Sequence, residues 1–113
     1  MISGIYSAQF ASNKQMVGSG VVIFTGGTLH GGDASYYYKG KYKRDDKNNV
    51  TATVEVANHS GNPSSVFGPL KTYRLTLNGV ANTQEFTLSG PVEGQPSLLI
   101  TISLRKVDEV IEG

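Results

Sequence analysis

Two histidines and one aspartate are the side chains best suited to acid–base chemistry. His30 stands three residues before Asp33, and His59 follows in a later loop. Histidine is the usual proton carrier near neutral pH. None of the three has a nucleophile at a spacing that indicates a catalytic triad, and a metal site needs three or four converging ligands. We therefore expect turn or surface roles for these residues, no catalytic group, no metal and no other cofactor.

A run of positively charged residues is the second feature that could take part in binding. Half of the basic residues fall within nine positions, at Lys39, Lys41, Lys43, Arg44 and Lys47. Beside Tyr37 they suit either a phosphate backbone or an acidic partner. A solvated outer strand face is the simpler interpretation. The chain has ten basic and nine acidic residues, a net charge of +1, which argues against general nucleic-acid or membrane binding.

The composition indicates one small domain that folds without disulfide bonds. The chain has 113 residues and no Cys, which excludes disulfides and thiolate chemistry. The N-terminus has no basic start, and the longest apolar run, Val21–Phe24, is far shorter than a membrane span. We expect a cytoplasmic location.

Alternation of apolar and polar residues dominates the chain and positions these side chains. A period of two places alternate residues on opposite faces of a strand. Weaker strand candidates fill the gaps between the four clearest stretches, which are 36–43, 50–57, 72–77 and 98–105. Seven or eight strands with short connections predict an all-β protein, an antiparallel up-and-down barrel over residues 1–107 with an acidic tail at 108–113.

Glycines inside the predicted strands favour a barrel over a flat sheet. The stretch Leu75–Gly79 reappears eleven residues later as Phe86–Gly90. Such a repeat indicates a meander in which each glycine lets its strand bend, and Gly40 is expected to act in the same way. The longest loop, about 58–69, is expected to include a helical turn at 63–67.

The inner face of the barrel is predicted to be rich in tyrosine. The inward candidates are Tyr6, Tyr36, Tyr38, Tyr42 and Tyr73. Their rings either fill the core or line a pocket for a small apolar ligand, with the hydroxyls as polar handles. For a barrel of about eight strands, core filling is the simpler interpretation.

Apolar residues expected on the outside predict self-association. Val22, Phe24 and Leu99, together with Tyr37, are candidates for an isologous patch that forms a homodimer.

A family resemblance is carried by glycines and turn residues in the first half of the chain. Its elements are Gly4-Ile5-Tyr6-Ser7, Phe10, Ser12-Asn13, Gly18-Ser19-Gly20, Gly31 to Tyr36, Tyr38 and Gly40. In this order they resemble the GrlR family, negative regulators of type III secretion genes in bacteria. The likeness is clearest over residues 4–57 and continues as strand pattern alone to about residue 107.

The resemblance implies a lipocalin-like barrel of eight strands that forms a homodimer and sequesters a transcriptional activator away from DNA. It also implies that a hairpin loop contacts this partner, at the positions Arg44, Asp45, Asp46 and Lys47. The two aspartates match the family's acidic run, whereas Arg44 and Lys47 reverse the charge. We therefore expect a non-enzymatic protein-interaction module that binds a different partner or binds differently. The alternative is a carrier of a small apolar ligand.

Overall fold

Eight β-strands account for the regular structure of the described residues. The structure is a computed structural model that describes residues 2–14, 17–59, 72–82 and 84–111. No helix in this part of the chain is long and apolar enough to cross a membrane. The strands are β1 (Gly4–Ser12), β2 (Val17–Thr25), β3 (Thr28–Gly32), β4 (Tyr36–Arg44), β5 (Asn49–Asn58), β6 (Thr72–Val80), β7 (Glu85–Val92) and β8 (Gln95–Asp108).

The strands form one closed barrel. Each strand pairs in antiparallel fashion with the next one along the chain, and β8 returns to pair with β1. The closing register places Ala8 opposite Leu104 and Phe10 opposite Ile102. Closure gives every strand two neighbours, which reduces the open edge available for edge-to-edge aggregation. The predicted all-β, up-and-down barrel is confirmed, with eight strands.

The core consists of the inward residues of all eight strands. Every second residue along β5, from Val50 to Val56, is buried, and the intervening residues face solvent or are half-buried. Aromatic rings occupy the centre, where Phe24 meets Tyr6 edge-on with ring centroids 5.2 Å apart and Tyr42 at 5.4 Å. Each large apolar side chain buried in this way contributes roughly 1.5–3 kcal/mol to folding.

Glycine at inward positions lets the wall bend sharply. A Cβ built on Gly40 would overlap the carbonyl oxygen of Thr53 on β5, and one on Gly90 would overlap that of Thr76 on β6. At these corners neighbouring backbones approach more closely than any side chain allows. The bending role predicted for Gly40 and for the repeated Gly79 and Gly90 therefore agrees with the geometry, and β6 runs through Asn78-Gly79 as expected.

Two connections between strands are short. Gly31 and Gly32 belong to β3, and the turn follows at 33–35. The turn between β7 and β8 consists of residues 93–94, because β7 extends to Val92 and β8 starts at Gln95. The expected helical turn at 63–67 lies outside the described residues, as do residues 112–113 of the tail.

The outward orientation predicted for Val22 and Phe24 is wrong. Val22 is 5% exposed and Phe24 1% exposed, both inside the barrel. β2 is apolar on both faces, so periodicity alone does not distinguish inside from outside. The pairing with β1 does, because it places Val22 opposite the buried Tyr6. Val21 and Ile23 form the outer face instead, and Leu99 is outward as predicted.

Candidate functional site

The five predicted inward tyrosines all lie inside the barrel. Each is at most 6% exposed, and the set comprises Tyr6, Tyr36, Tyr38, Tyr42 and Tyr73. The buried hydroxyl of Tyr42 forms a hydrogen bond in the interior, in which it donates to the backbone carbonyl of Ile2 at 2.5 Å. Burial raises the pKa of Tyr6 and of Tyr42 above the ordinary value. Both hydroxyls therefore stay protonated, and that of Tyr42 acts as a donor.

The rings fill the barrel instead of lining a pocket. The interior void enclosed by the described residues measures about 20 Å³, and its walls include Phe10, Tyr38 and Leu75. Ligand pockets for small molecules are usually ~300–1,000 Å³. A void this small is close to the limit for a single water molecule. The interior is therefore a packed core.

Asp33 organises the turn between β3 and β4. Its Oδ1 accepts hydrogen bonds from the backbone N–H groups of Ser35 and Tyr36, both at 2.8 Å. Its Oδ2 accepts the hydroxyl of Tyr38. Burial, and next the hydrogen bond to Asp33, raise the pKa of Tyr38 well above the ordinary tyrosine value. Both oxygens of the Asp33 carboxylate therefore accept hydrogen bonds, which fix the turn and hold the Tyr38 side chain in place.

His59 approaches this turn but not the carboxylate. Its ring Nε2 lies 3.0 Å from the backbone oxygen of Asp33, and its backbone N–H donates to Ser35 at 2.8 Å. His30 lies on the outer face of β3 opposite Lys39, apart from this corner. Within the described ranges, no three His, Asp or Glu side chains are grouped so as to hold a metal ion. The corner is therefore a structural joint between β3, β4 and the end of β5.

The hairpin between β4 and β5 carries the four residues of the predicted partner contact. Asp45 closes it, because its Oδ1 accepts the backbone N–H groups of Lys47 and Asn49, both at 2.9 Å. Its Oδ2 accepts the Asn49 side chain at 3.0 Å, and Asn48 takes the left-handed conformation with φ of 66°. Asparagine tolerates this conformation better than most residues do.

The remaining charges of this hairpin point into solvent. Arg44, Asp46 and Lys47 are exposed. The hydrogen bonds from Asn49 and Lys47 lower the pKa of Asp45. Of the two aspartates that match the family's acidic run, Asp45 is therefore committed to the turn, and Asp46 is the one presented outward between two cations.

The outer wall formed by β3, β4, β5 and β6 is strongly cationic. Apart from Arg44 at the hairpin end of β4, its outward charges are one carboxylate, Glu55, and four cations, Lys39, Lys41, Lys43 and Arg74. The Nζ atom of Lys39 lies 3.9 Å from Oε1 of Glu55, and Arg74 pairs with Glu93 at 3.7 Å. These are exposed pairs of small energetic weight. The spacing of the cations follows from strand alternation, as the sequence indicated.

The outer wall of β8, β1 and β2 carries few charges, which lie near the end of β8 at Arg105, Lys106 and Asp108. Small hydroxyl and amide side chains cover much of it, with Arg105 set opposite Glu85 of the neighbouring strand β7. Its large exposed apolar members are Val17 (78% exposed), Val21 (45%), Leu99 (46%) and Val107 (51%). Tyr37 (42% exposed) lies in the same cross-strand row as Val21. Gly32 stands between them in this row and has no side chain to separate them. Sequence reasoning placed Leu99 and Tyr37 here but missed Val17 and Val21.

Sequence reasoning also did not predict the hydrogen bond between the Tyr38 hydroxyl and the Asp33 carboxylate. A Gly-Gly-Asp sequence indicates a turn whose aspartate accepts nearby backbone N–H groups. The inward position of Tyr38, five residues later, is the signal that links this turn to the core. Comparison with protein-family models and with curated proteins finds no match to this chain.

Proposed function

We propose that this barrel is a non-enzymatic protein-interaction module, resembling the GrlR regulators, that sequesters a protein partner and thereby regulates transcription indirectly. The observation that supports this most strongly is the filled interior, with its void of about 20 Å³. A barrel whose described residues leave so small an interior void presents its outer wall and its loops for recognition. The carrier alternative has no such support.

The hairpin at residues 44–47 is the proposed contact that the resemblance indicates. Asp45 holds it in one conformation through three hydrogen bonds. A loop fixed before binding loses less conformational entropy on association. The outward charges of Arg44, Asp46 and Lys47 would then select the partner and its register.

Homodimerisation is the second part of the proposal. The sparsely charged wall of β8, β1 and β2 has a composition typical of interface cores, which are depleted in charge. Val17, Val21 and Leu99 supply exposed apolar area, with Tyr37 at the margin. This set replaces the patch predicted from the sequence, since Val22 and Phe24 lie inside the barrel.

Affinity capture from the native host tests the partner contact. The full chain should retain a specific protein at micromolar concentration, and the double variant Arg44→Glu/Lys47→Glu should lose it. Lys14→Glu, an exposed charge in another hairpin, serves as the control and should retain the protein. Absence of a retained protein, or retention by the hairpin variant, contradicts the proposal.

Light scattering tests the dimer. The wild-type protein should have twice the chain mass of 12.1 kDa. Val21→Lys should shift it towards a monomer, because a lysine at the interface buries a charge without a partner. Wild-type protein at the mass of a single chain refutes this part of the proposal alone.

A further inference from the structure

Three lysines form a regular row on the outside of β4. Lys39, Lys41 and Lys43 alternate with inward residues, and all three are exposed. A strand rises about 3.3–3.4 Å per residue, so successive lysines of this row start about 6.7 Å apart. We refer to these three residues as the lysine row.

Most of the charge on the lysine row has no opposite charge paired with it among the described residues. Lys41 lies between Thr28 on β3 and Thr53 on β5, and Lys43 lies opposite Thr51. Among the residues that the structure describes, neither Lys41 nor Lys43 forms an ion pair. Threonine hydroxyls beside each ammonium group add neutral donors and no competing negative charge.

The lysine row borders a shallow depression in the outer wall. Lys39, Gly40 and Lys41 line it from β4, with Thr53 and Glu55 from β5 and further residues from β3 and β6. The depression lies where the wall bends at Gly40. A concave, cationic surface concentrates oppositely charged groups near it.

We propose that the lysine row binds an extended, acidic segment of the partner protein, in which alternate residues are Asp or Glu. This inference rests on the proposed function and specifies the chemistry of the partner. An extended segment places alternate side chains on one face at the same spacing as the lysines, about 6.7 Å. Each carboxylate can then meet one ammonium group.

Charges near the row favour a peptide over a nucleic acid. Glu55 lies beside Lys39, and Asp46 lies in the hairpin just beyond Lys43. A phosphate backbone carries a charge at every step and would pass close to these carboxylates, whereas a peptide can place a neutral residue there. The net charge of +1 for the whole chain is also low for a nucleic-acid binder.

Fluorescence anisotropy with labelled peptides tests the inference. The probe is a twelve-residue peptide of alternating Glu and Thr, compared at low salt with a peptide of the same composition in which the glutamates occur in adjacent pairs. We expect the alternating peptide to bind more tightly. The variant Lys41→Gln/Lys43→Gln should weaken its binding about fivefold, from the loss of two exposed ion pairs.

A matched variant separates local contact from general charge. Lys14→Gln removes one positive charge from another part of the surface and should bind the peptide almost as wild type does, whereas the single variant Lys41→Gln should bind it more weakly. Equal losses in the two variants, or tighter binding of a thymidine oligonucleotide of equal charge, overturn the inference. If the captured host protein depends on the hairpin but not on Lys41 and Lys43, the inference fails while the proposed function stands. If no host protein is captured, the proposed function fails, and this inference fails with it even where the peptide binds.

Discussion

Two turns of this barrel use the same device, an aspartate whose carboxylate accepts backbone N–H groups, for different purposes. Asp33 closes the turn between β3 and β4 and also accepts the hydroxyl of the buried Tyr38. Asp45 closes the hairpin between β4 and β5, and its three hydrogen bonds all stay within the exposed turn. The first connects a turn to the core, and the second prepares a loop for contact with solvent or a partner.

The comparison shows that the same local motif contributes differently to the free energy of unfolding in the two turns. A hydrogen bond to a buried group is costly to lose, because the group left behind has no access to water. A bond in an exposed turn is replaced by water when it breaks. The four predictions below concern this difference.

Removal of the Asp33 carboxylate should have the largest effect. Asp33→Ala leaves two turn N–H groups and the Tyr38 hydroxyl without their acceptor, and we expect a loss of about 3 kcal/mol in the free energy of unfolding. Urea denaturation measures it. Asp46→Ala, an exposed aspartate, is the control and should change little. A loss below about 1 kcal/mol for Asp33→Ala would mean that the joint is not important for stability.

Removal of the Tyr38 hydroxyl should have an intermediate effect. Tyr38→Phe keeps the ring in the core and keeps both turn N–H bonds of Asp33, so we expect a loss of about 1 kcal/mol. Tyr37→Phe on the outer face of the same strand is the matched control. If the two variants unfold at the same urea concentration, the bond to Asp33 contributes nothing measurable.

Removal of the Asp45 carboxylate should have a smaller effect than either change at the Asp33 corner. Asp45→Ala loosens an exposed turn whose N–H groups then bond to water. We expect its urea midpoint to shift less than that of Tyr38→Phe, whereas amide hydrogen exchange at Asn49 should quicken clearly. A midpoint shift as large as that of Asp33→Ala would abolish the distinction between the two turns.

The pH dependence of Asp45 should be the subtlest effect. The bonds from Asn49 and Lys47 lower its pKa below the ordinary value of 3.8, so the folded state favours the carboxylate. Its contribution to stability is complete above pH 3.8 and is lost as the pH falls through the lower, folded pKa. An NMR titration should show the lowered pKa, and Asp45→Asn should make unfolding less sensitive to acid below that pH. A titration midpoint at or above 3.8 contradicts this.

Strand alternation made most of the fold predictable. In β5 the apolar residues from Val50 to Val56 recur at every second position, so the inner face could be identified without any tertiary contact. β2 lacked this contrast, and the orientation of Val22 and Phe24 was predicted wrongly. Only the pairing with β1, which aligns Val22 with Tyr6, resolves it.

The polar joints were less predictable than the strands. The role of Asp45 follows from a short turn sequence, and its partners lie within four residues of it. The contact of His59 with Asp33 joins residues 26 positions apart and depends on how β4 and β5 pair. Local sequence carries no signal for such a contact, because the barrel must close first.

The ladder between β1 and β8 has a consequence for how the protein is made. Ser7 pairs with Arg105, so β1 can complete its pairing only after a strand far along the sequence has been made. During translation, the growing polypeptide leaves the ribosome with both margins of its sheet open until β8 emerges. Contacts this distant in sequence slow folding. We therefore expect the newly made chain to be vulnerable to aggregation until β8 has emerged and has paired with β1.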